Sequence, residues 1–214
     1  MANNVIITIG RQFGSGGHEI GNKLANKLDI PLYDRNLVKM AAEELKISDS
    51  AVESVDEIGL NRFLTYYASA PVDYTSYYLE NEDLGQPLSQ QVYFAQAKLI
   101  KKLADRSSCV MVGRCADYIL ADEPGLLNIF ITADKEERIA RIAKKYGISD
   151  KKAADKIKKV DRERRYYYEF HTGEDWGSTE AHQMILNSST LGIDRTVDIL
   201  AAIYKELDQK LNQK

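Results

Sequence analysis

Cysteine, tryptophan, histidine and proline are all scarce in this chain of 214 residues, at two, one, three and four copies. The two cysteines, Cys109 and Cys115, match no metal or redox spacing, so both read as packing residues in a reducing compartment. The three histidines, His18, His171 and His182, form no ligand spacing either and read as surface or capping residues. Long hydrophobic runs are missing too. The longest near the N-terminus is Val5 to Ile9, preceded by polar Asn3 and Asn4. That is too short for a signal-peptide core or a membrane span, so a cytoplasmic address without a membrane partner is expected. Nor is there a large excess of charge of one sign. The net charge is −3, which argues against a dedicated nucleic-acid binder.

What is present is the balance of a soluble globular protein, 44% hydrophobic and 29% charged. The length suits one domain, or a core with a small insert. The charge is unevenly spread. From Asp134 to Phe170 there are 13 Lys and Arg against 8 Asp and Glu, while the remaining residues carry a net −8. A basic arm on an acidic body suits a polyanionic ligand, or else a solvated helix face laced with opposite charges.

Val5 to Ile9 is an apolar, β-branched run and reads as a buried strand stopping at Gly10. A glycine-rich turn, Gly14-Ser15-Gly16-Gly17, follows, and Ile20, Leu24 and Leu28 recur at helical spacing after it. Pro31 to Asp34 reads as a second strand and Asn36 to Leu45 as a second helix. From Ser48 to Pro87 the pattern weakens into helical pieces joined by loops. The tyrosines between Tyr66 and Tyr93 are expected in core packing or a homodimer contact, with a base-pocket lining as the other reading. A helix returns over Ser89 to Arg106, then a strand over Val110 to Val112 ended by Gly113-Arg114. Leu126 to Ile131 reads as a strand, and Lys135 to Tyr146 as a helix with the acidic first turn that the helix dipole favours. A long basic helical stretch then runs to about Phe170. Its Tyr166-Tyr167-Tyr168 run covers nearly a full helix circumference, so at least one ring should be packed. Met184 to Leu186 is the last strand, and a helix over Ile193 to Leu211 closes the chain.

Short apolar strands alternating with helices imply a parallel sheet covered on both faces, with ligands at the C-terminal ends of the strands. Gly10 to Gly17, Asp34, Gly113-Arg114, Thr132-Ala133 and Asn187-Ser188 all fall at such ends. Strand, glycine turn and helix start together make an anion site, because successive backbone N–H groups can point at a phosphate. The strict loop pattern GxxxxGK[ST] is nevertheless broken. With Gly16 as its second glycine, Arg11 stands at the first, Gly17 at the lysine and His18 at the hydroxyl residue. Purely structural glycines are the plainer reading of such a turn. A dinucleotide-binding unit also opens in this way, and Asp34 lies about where its ribose-binding acid falls. Glu19 occupies that fingerprint's third glycine, however, which makes an NAD-dependent oxidoreductase the weaker reading.

Five stretches, in order, resemble the cytidylate kinase-like proteins. They are GRQFGSGGHEIGNKLANKLDIPLYD, VMVGRCADYIL, LNIFITADKEERIARI, VDRERRYYYEF and ILNSSTLGIDRTVDIL, and together they span nearly the whole chain. The resemblance implies an α/β P-loop kinase fold over residues 1–214. It would have a five-stranded parallel sheet with helices on both faces, a helical monophosphate-binding insert at about 48–88 and a lid at about 147–172. It also implies ATP with Mg2+ and a phosphotransferase acting on a small acceptor such as a pyrimidine nucleoside monophosphate.

Carried over by position, Gly14, Ser15, Gly16, Gly17 and His18 would hold the ATP phosphates, with Asn187, Ser188 and Ser189 near the adenine. Asp34, Arg114, Asp161 and Arg164 would serve the acceptor, and Arg162 and Arg165 the transferred phosphate. Three departures accompany these matches: Gly17 for the lysine, His18 for the magnesium-linked hydroxyl, and Cys115 for the acid after Arg114. Phosphoryl transfer is chiefly positioning and charge stabilisation, so Arg11 is expected to supply the replacement charge. The competing expectation is that Arg11 pairs with Asp34 or Glu19 and only fixes the loop. A degenerate kinase that binds nucleotide without turnover is the alternative function.

Overall fold

The computed structural model of the protein describes residues 4–34, 37, 40 and 88–213. The chain divides into two compact units, residues 1–34 with 100–214, and residues 35–99. Residues 48–87 of the expected insert lie outside the described residues, as do most of the helix expected over Asn36 to Leu45 and the tyrosines from Tyr66 to Tyr78.

The first unit is built on five strands: β1 (Ile6–Arg11), β2 (Leu32–Tyr33), β3 (Cys109–Val112), β4 (Leu126–Thr132) and β5 (Met184–Asn187). They form one sheet in the order β2-β3-β1-β4-β5. Every neighbouring pair is parallel. In a dinucleotide-binding half the second strand lies beside the first. Here β3 separates them, which removes the dinucleotide reading. β1 does not stop at Gly10, because Gly10 and Arg11 pair with Phe130 and Ile131 of β4. Glycine is needed there, since a Cβ at residue 10 would stand 2.7 Å from the Phe130 ring.

The helices are α1 (Gly17–Leu28), α2 (Leu88–Arg106), α3 (Ala116–Ile119), α4 (Lys135–Tyr146), α5 (Asp150–Thr172), α6 (Ser188–Leu191) and α7 (Ile193–Asn212). Alternation along the strands explains the core. Ile7 and Ile9, Val110 and Val112, and Ile129 and Ile131 point to one face, where Ile20 and Leu24 of α1 meet Val197 and Leu200 of α7. Each fully buried aliphatic side chain contributes about 1.5–3 kcal/mol. On the opposite face Phe130 stacks on His182 and meets the edge of Trp176.

α4 ends at Gly147, which takes a left-handed φ of 62°, and α5 starts after Ser149, whose Oγ accepts from the Lys152 N–H. The two helices pack through Ile142, Ala153 and Ile157. Of the three consecutive tyrosines in α5, Tyr168 is the buried one.

Candidate functional site

β1 ends at the middle of the sheet and runs into the glycine turn, so its loop lies across the rim formed by the neighbouring strand ends. Gly14 and Gly16 hold φ values of 83° and 82°, a region costly for any other residue. Gly16 is the N-cap of α1, and no side chain caps that helix. The first-turn N–H groups of Gly17, His18 and Glu19 therefore face the rim without an intrahelical partner. Such a row of N–H groups at a helix start fits an anion such as the phosphates of ATP.

Arg11 and Gly17 are sterically coupled. A Cβ at Gly17 would lie 2.6 Å from the Arg11 Cβ, and a Cβ at Gly113 would collide with the Arg11 guanidinium. The side chain therefore runs from the loop across the end of β3. Of the two acids considered from sequence, Asp34 holds His18 at 2.7 Å and Glu19 faces Lys23 at 3.3 Å.

The guanidinium of Arg11 lies over the start of a strained turn. Gly113, Arg114 and Cys115 are all left-handed, at φ 79°, 62° and 53°. Two consecutive non-glycine residues in that region cost about 1–2 kcal/mol each. Arg114, half-buried in the turn that follows β3, is thus held where it is against its backbone preference. Cys115 is buried and its thiol is pushed up by burial. Burial likewise pushes the Cys109 thiol up to about 12. Both cysteines are free thiols in packing positions.

The other side of the loop is held by the α4–α5 pair. Asp161 Oδ1 accepts from the Phe13 N–H at 2.7 Å, and Arg138 Nε donates to the Phe13 carbonyl at 2.8 Å. Arg138 and Asp161 also form an ion pair with each other. Arg141 donates to the Gly14 carbonyl at 2.5 Å, and Arg164 to the Arg11 carbonyl at 3.0 Å while stacking on the Phe13 ring. Arg138 and Arg141 were missed from the sequence. Their signal was available, because residues three apart on a helix leaving a rim strand share one face.

Arg162 and Arg165 are exposed, and Arg165 faces Glu169 and the Trp176 ring. None of these contacts is with the loop. Asp161 meets the loop backbone and Arg138. Ser188 is buried and donates to the Ser15 carbonyl at 2.6 Å, tying the end of β5 to the loop. Asn187 caps the short helix α6 by accepting from the Ser189 N–H, and donates to Asp134. Neither serine caps α7, which begins after Gly192.

A second polar cluster lies under the opposite face. Tyr168 OH donates to Asp117 at 2.8 Å, His182 Nδ1 contacts Asn128 Oδ1 at 3.0 Å, and Asp117 stands 3.7 Å from His182. Burial holds the His182 imidazole down at about 4 and raises the Asp117 carboxyl. His182 is thus a buried core residue and not a surface or capping one. It stacks on Phe130 with Nδ1 against Asn128 Oδ1, while its buried Nε2 has no hydrogen-bond partner among the described residues.

The sheet order, the glycine loop before α1 and the arginines around it define the α/β fold of P-loop kinases. The chain belongs to the cytidylate kinase-like family, whose profile matches residues 6–190. An uncharacterized protein from Eubacterium ventriosum is similar at 26% identity, with a TM-score of 0.70 over 94% of this chain and 99% of that one. A gluconokinase from Sinorhizobium meliloti is 13% identical, with a TM-score of 0.52 over 99% and 98%. A shikimate kinase from Bacteroides thetaiotaomicron is 15% identical, with a TM-score of 0.50 over 94% and 98%. The last two likenesses are of fold. No curated protein matches the chain. Among the described residues, no helix is long and apolar enough to cross a membrane.

Proposed function

We propose that the protein is an ATP-dependent phosphotransferase in which Arg11 does the work of the missing loop lysine. The observation that carries this reading is the contact between Arg11 and Gly17. The strict loop has glycine first and lysine later. Here the long cation and the glycine have exchanged places, and the 2.6 Å approach of a Cβ at Gly17 to the Arg11 Cβ leaves room for only one side chain. ATP would supply the transferred phosphoryl group. The loop N–H groups would hold its phosphates, Arg11 would meet charge developing on the moving group, and Arg114 would hold the acceptor, for which a pyrimidine nucleoside monophosphate is the first candidate. Asp161, Arg138, Arg141 and Arg164 act on the loop backbone and keep it in place.

Thermal-shift titration and transfer from γ-labelled ATP to CMP or UMP test this reading. Saturating ATP at about 100 times its dissociation constant should stabilise the fold by about 2.7 kcal/mol. Arg11→Ala should lower turnover about ten- to a thousandfold while ATP affinity falls far less. Equal losses in both would make Arg11 a binding residue. ATP binding with no transfer to any acceptor would make the protein a nucleotide-binding module.

A further inference from the structure

His18 sits in the first turn of α1, directly after the glycine loop. The strict loop places a hydroxyl residue there, whose oxygen contacts Mg2+. Mg2+ takes oxygen ligands in a near-octahedral shell, and an imidazole nitrogen is a poor member of that set. The donor at this position therefore does not fit magnesium.

The ring is also held in a particular way. Its Nε2 lies 2.7 Å from Asp34 Oδ2, just after the end of β2. A carboxylate accepts only from a protonated ring nitrogen, so in the neutral ring the lone pair is left on Nδ1. Carboxylate–imidazole pairs of this kind fix the tautomer and orientation of metal-bound histidines. The His18 side chain is 60% exposed and that of Asp34 19%, so the anchor is covered and the ring open. The neighbouring carboxylate, Glu19, faces Lys23, which also pairs with Asp194.

We propose that His18 Nδ1, oriented by Asp34, is the protein ligand of a borderline divalent cation of the Co2+, Ni2+ or Zn2+ class that enters bound to nucleotide phosphates. Imidazole suits those ions. This inference rests on the phosphate-binding reading of the loop. Among the described residues no group of three His, Cys, Asp or Glu side chains could hold a metal ion. The remaining positions of the ion are filled by phosphate oxygens and water, so ion and nucleotide bind together. A plain surface ion pair between His18 and Asp34 would show no metal preference at all.

The test uses the full chain, a non-hydrolysable ATP analogue, and Co2+ or Mg2+. Calorimetry gives the affinity of the analogue with each ion, and visible absorption follows the Co2+ coordination sphere. In the wild type the ratio of Co2+-analogue to Mg2+-analogue affinity should exceed that in His18→Ser by at least about tenfold. Asp34→Asn should weaken the Co2+ complex about 10–100-fold and the Mg2+ complex little. The Co2+ spectrum of the ternary complex should change in His18→Ser and in the near-isosteric His18→Gln. Co2+ without nucleotide should leave the thermal midpoint unmoved. Equal affinity ratios and identical Co2+ spectra in wild type and His18→Ser would overturn the assignment of His18 and leave the loop reading standing. Failure of the analogue to bind with either ion would overturn the loop reading itself, and with it this one.

Discussion

The two sides of the glycine loop are built on opposite principles. On the side of Phe13 and Gly14 the backbone is clamped by Arg138, Arg141, Arg164 and Asp161, and the Arg138 side chain is 9% exposed. On the side of His18, among the described residues, a hydrogen bond to Asp34 holds a ring that is 60% exposed. Charges taken out of water are costly unless matched, so the first side keeps its shape or the loop is lost. Exposed pairs exchange with solvent at little cost, so the second side can release one partner for another. The loop is thus anchored along one edge and open along the other, which suits a ligand that must enter and leave.

The largest effect that would break this contrast is on stability. Arg138→Ala leaves the Asp161 carboxylate without its cation and the Phe13 carbonyl without its donor. Removing one partner of such a buried pair costs about 3–5 kcal/mol. In a chain of this size that lowers the thermal midpoint by about 10 °C, at 2–4 °C per kcal/mol. His18→Ala, on the open edge, should stay within about 0.5 kcal/mol of wild type. Comparable losses in the two variants, read by thermal denaturation, would show that both edges carry the fold.

That contrast also marks where the sequence was readable. Periodicity located every strand of the sheet and the helices α1, α2, α4 and α7, because apolar spacing directly reports which face is buried. Val110 and Val112, or Ile193, Val197 and Leu200, needed no further context. On the open edge Gly16, His18 and Asp34 stood out because they lie in or beside the strand–turn–helix unit, although the contact between His18 and Asp34 did not. The clamped edge was not readable. Arg138 meets Phe13 across 125 residues and Asp161 meets it across 148, and nothing in a basic run tells a buried arginine from a solvated one. Arg162 and Arg165 look the same in sequence as Arg164, and only helix rotation decides that Arg164 reaches the loop. His182 was misread for the same reason: its partners Asn128 and Asp117 come from other elements.

An intermediate effect concerns the exchange of cation and glycine at the inner corner of the loop. Gly17→Lys alone places a Cβ against the Arg11 Cβ, and overpacking of this kind costs about 1–3 kcal/mol. Arg11→Ala does not relieve it, because alanine keeps the offending atom. Arg11→Gly does. The double variant Arg11→Gly/Gly17→Lys should therefore recover about 1–2 kcal/mol relative to Gly17→Lys, measured as the coupling in a double-mutant cycle. Arg11→Ala/Gly17→Lys should recover none. If the alanine and glycine backgrounds behave alike, the contact is absorbed by a shift of the loop, and that edge is softer than the geometry indicates.

The smallest effect separates strain from function at the end of β3. Arg114 holds a left-handed φ of 62° between Gly113 and Cys115, also left-handed. Glycine adopts that region freely, so Arg114→Gly should remove about 1 kcal/mol of backbone strain, less the entropy the new glycine adds to the unfolded chain. A thermal midpoint about 1–3 °C above that of Arg114→Ala, which loses the same side-chain contacts, is the expected outcome. Arg114→Ala keeps a Cβ in the same conformation and should bring no such gain. Both variants lose the guanidinium, and both should weaken acceptor binding by about 1.5–3 kcal/mol. A glycine variant more stable than the alanine one, with acceptor affinity lost in both, is the signature of a residue kept in a costly conformation for its side chain. A fall of the midpoint in both variants, with acceptor binding unchanged, would instead assign the Arg114 side chain to packing of the turn.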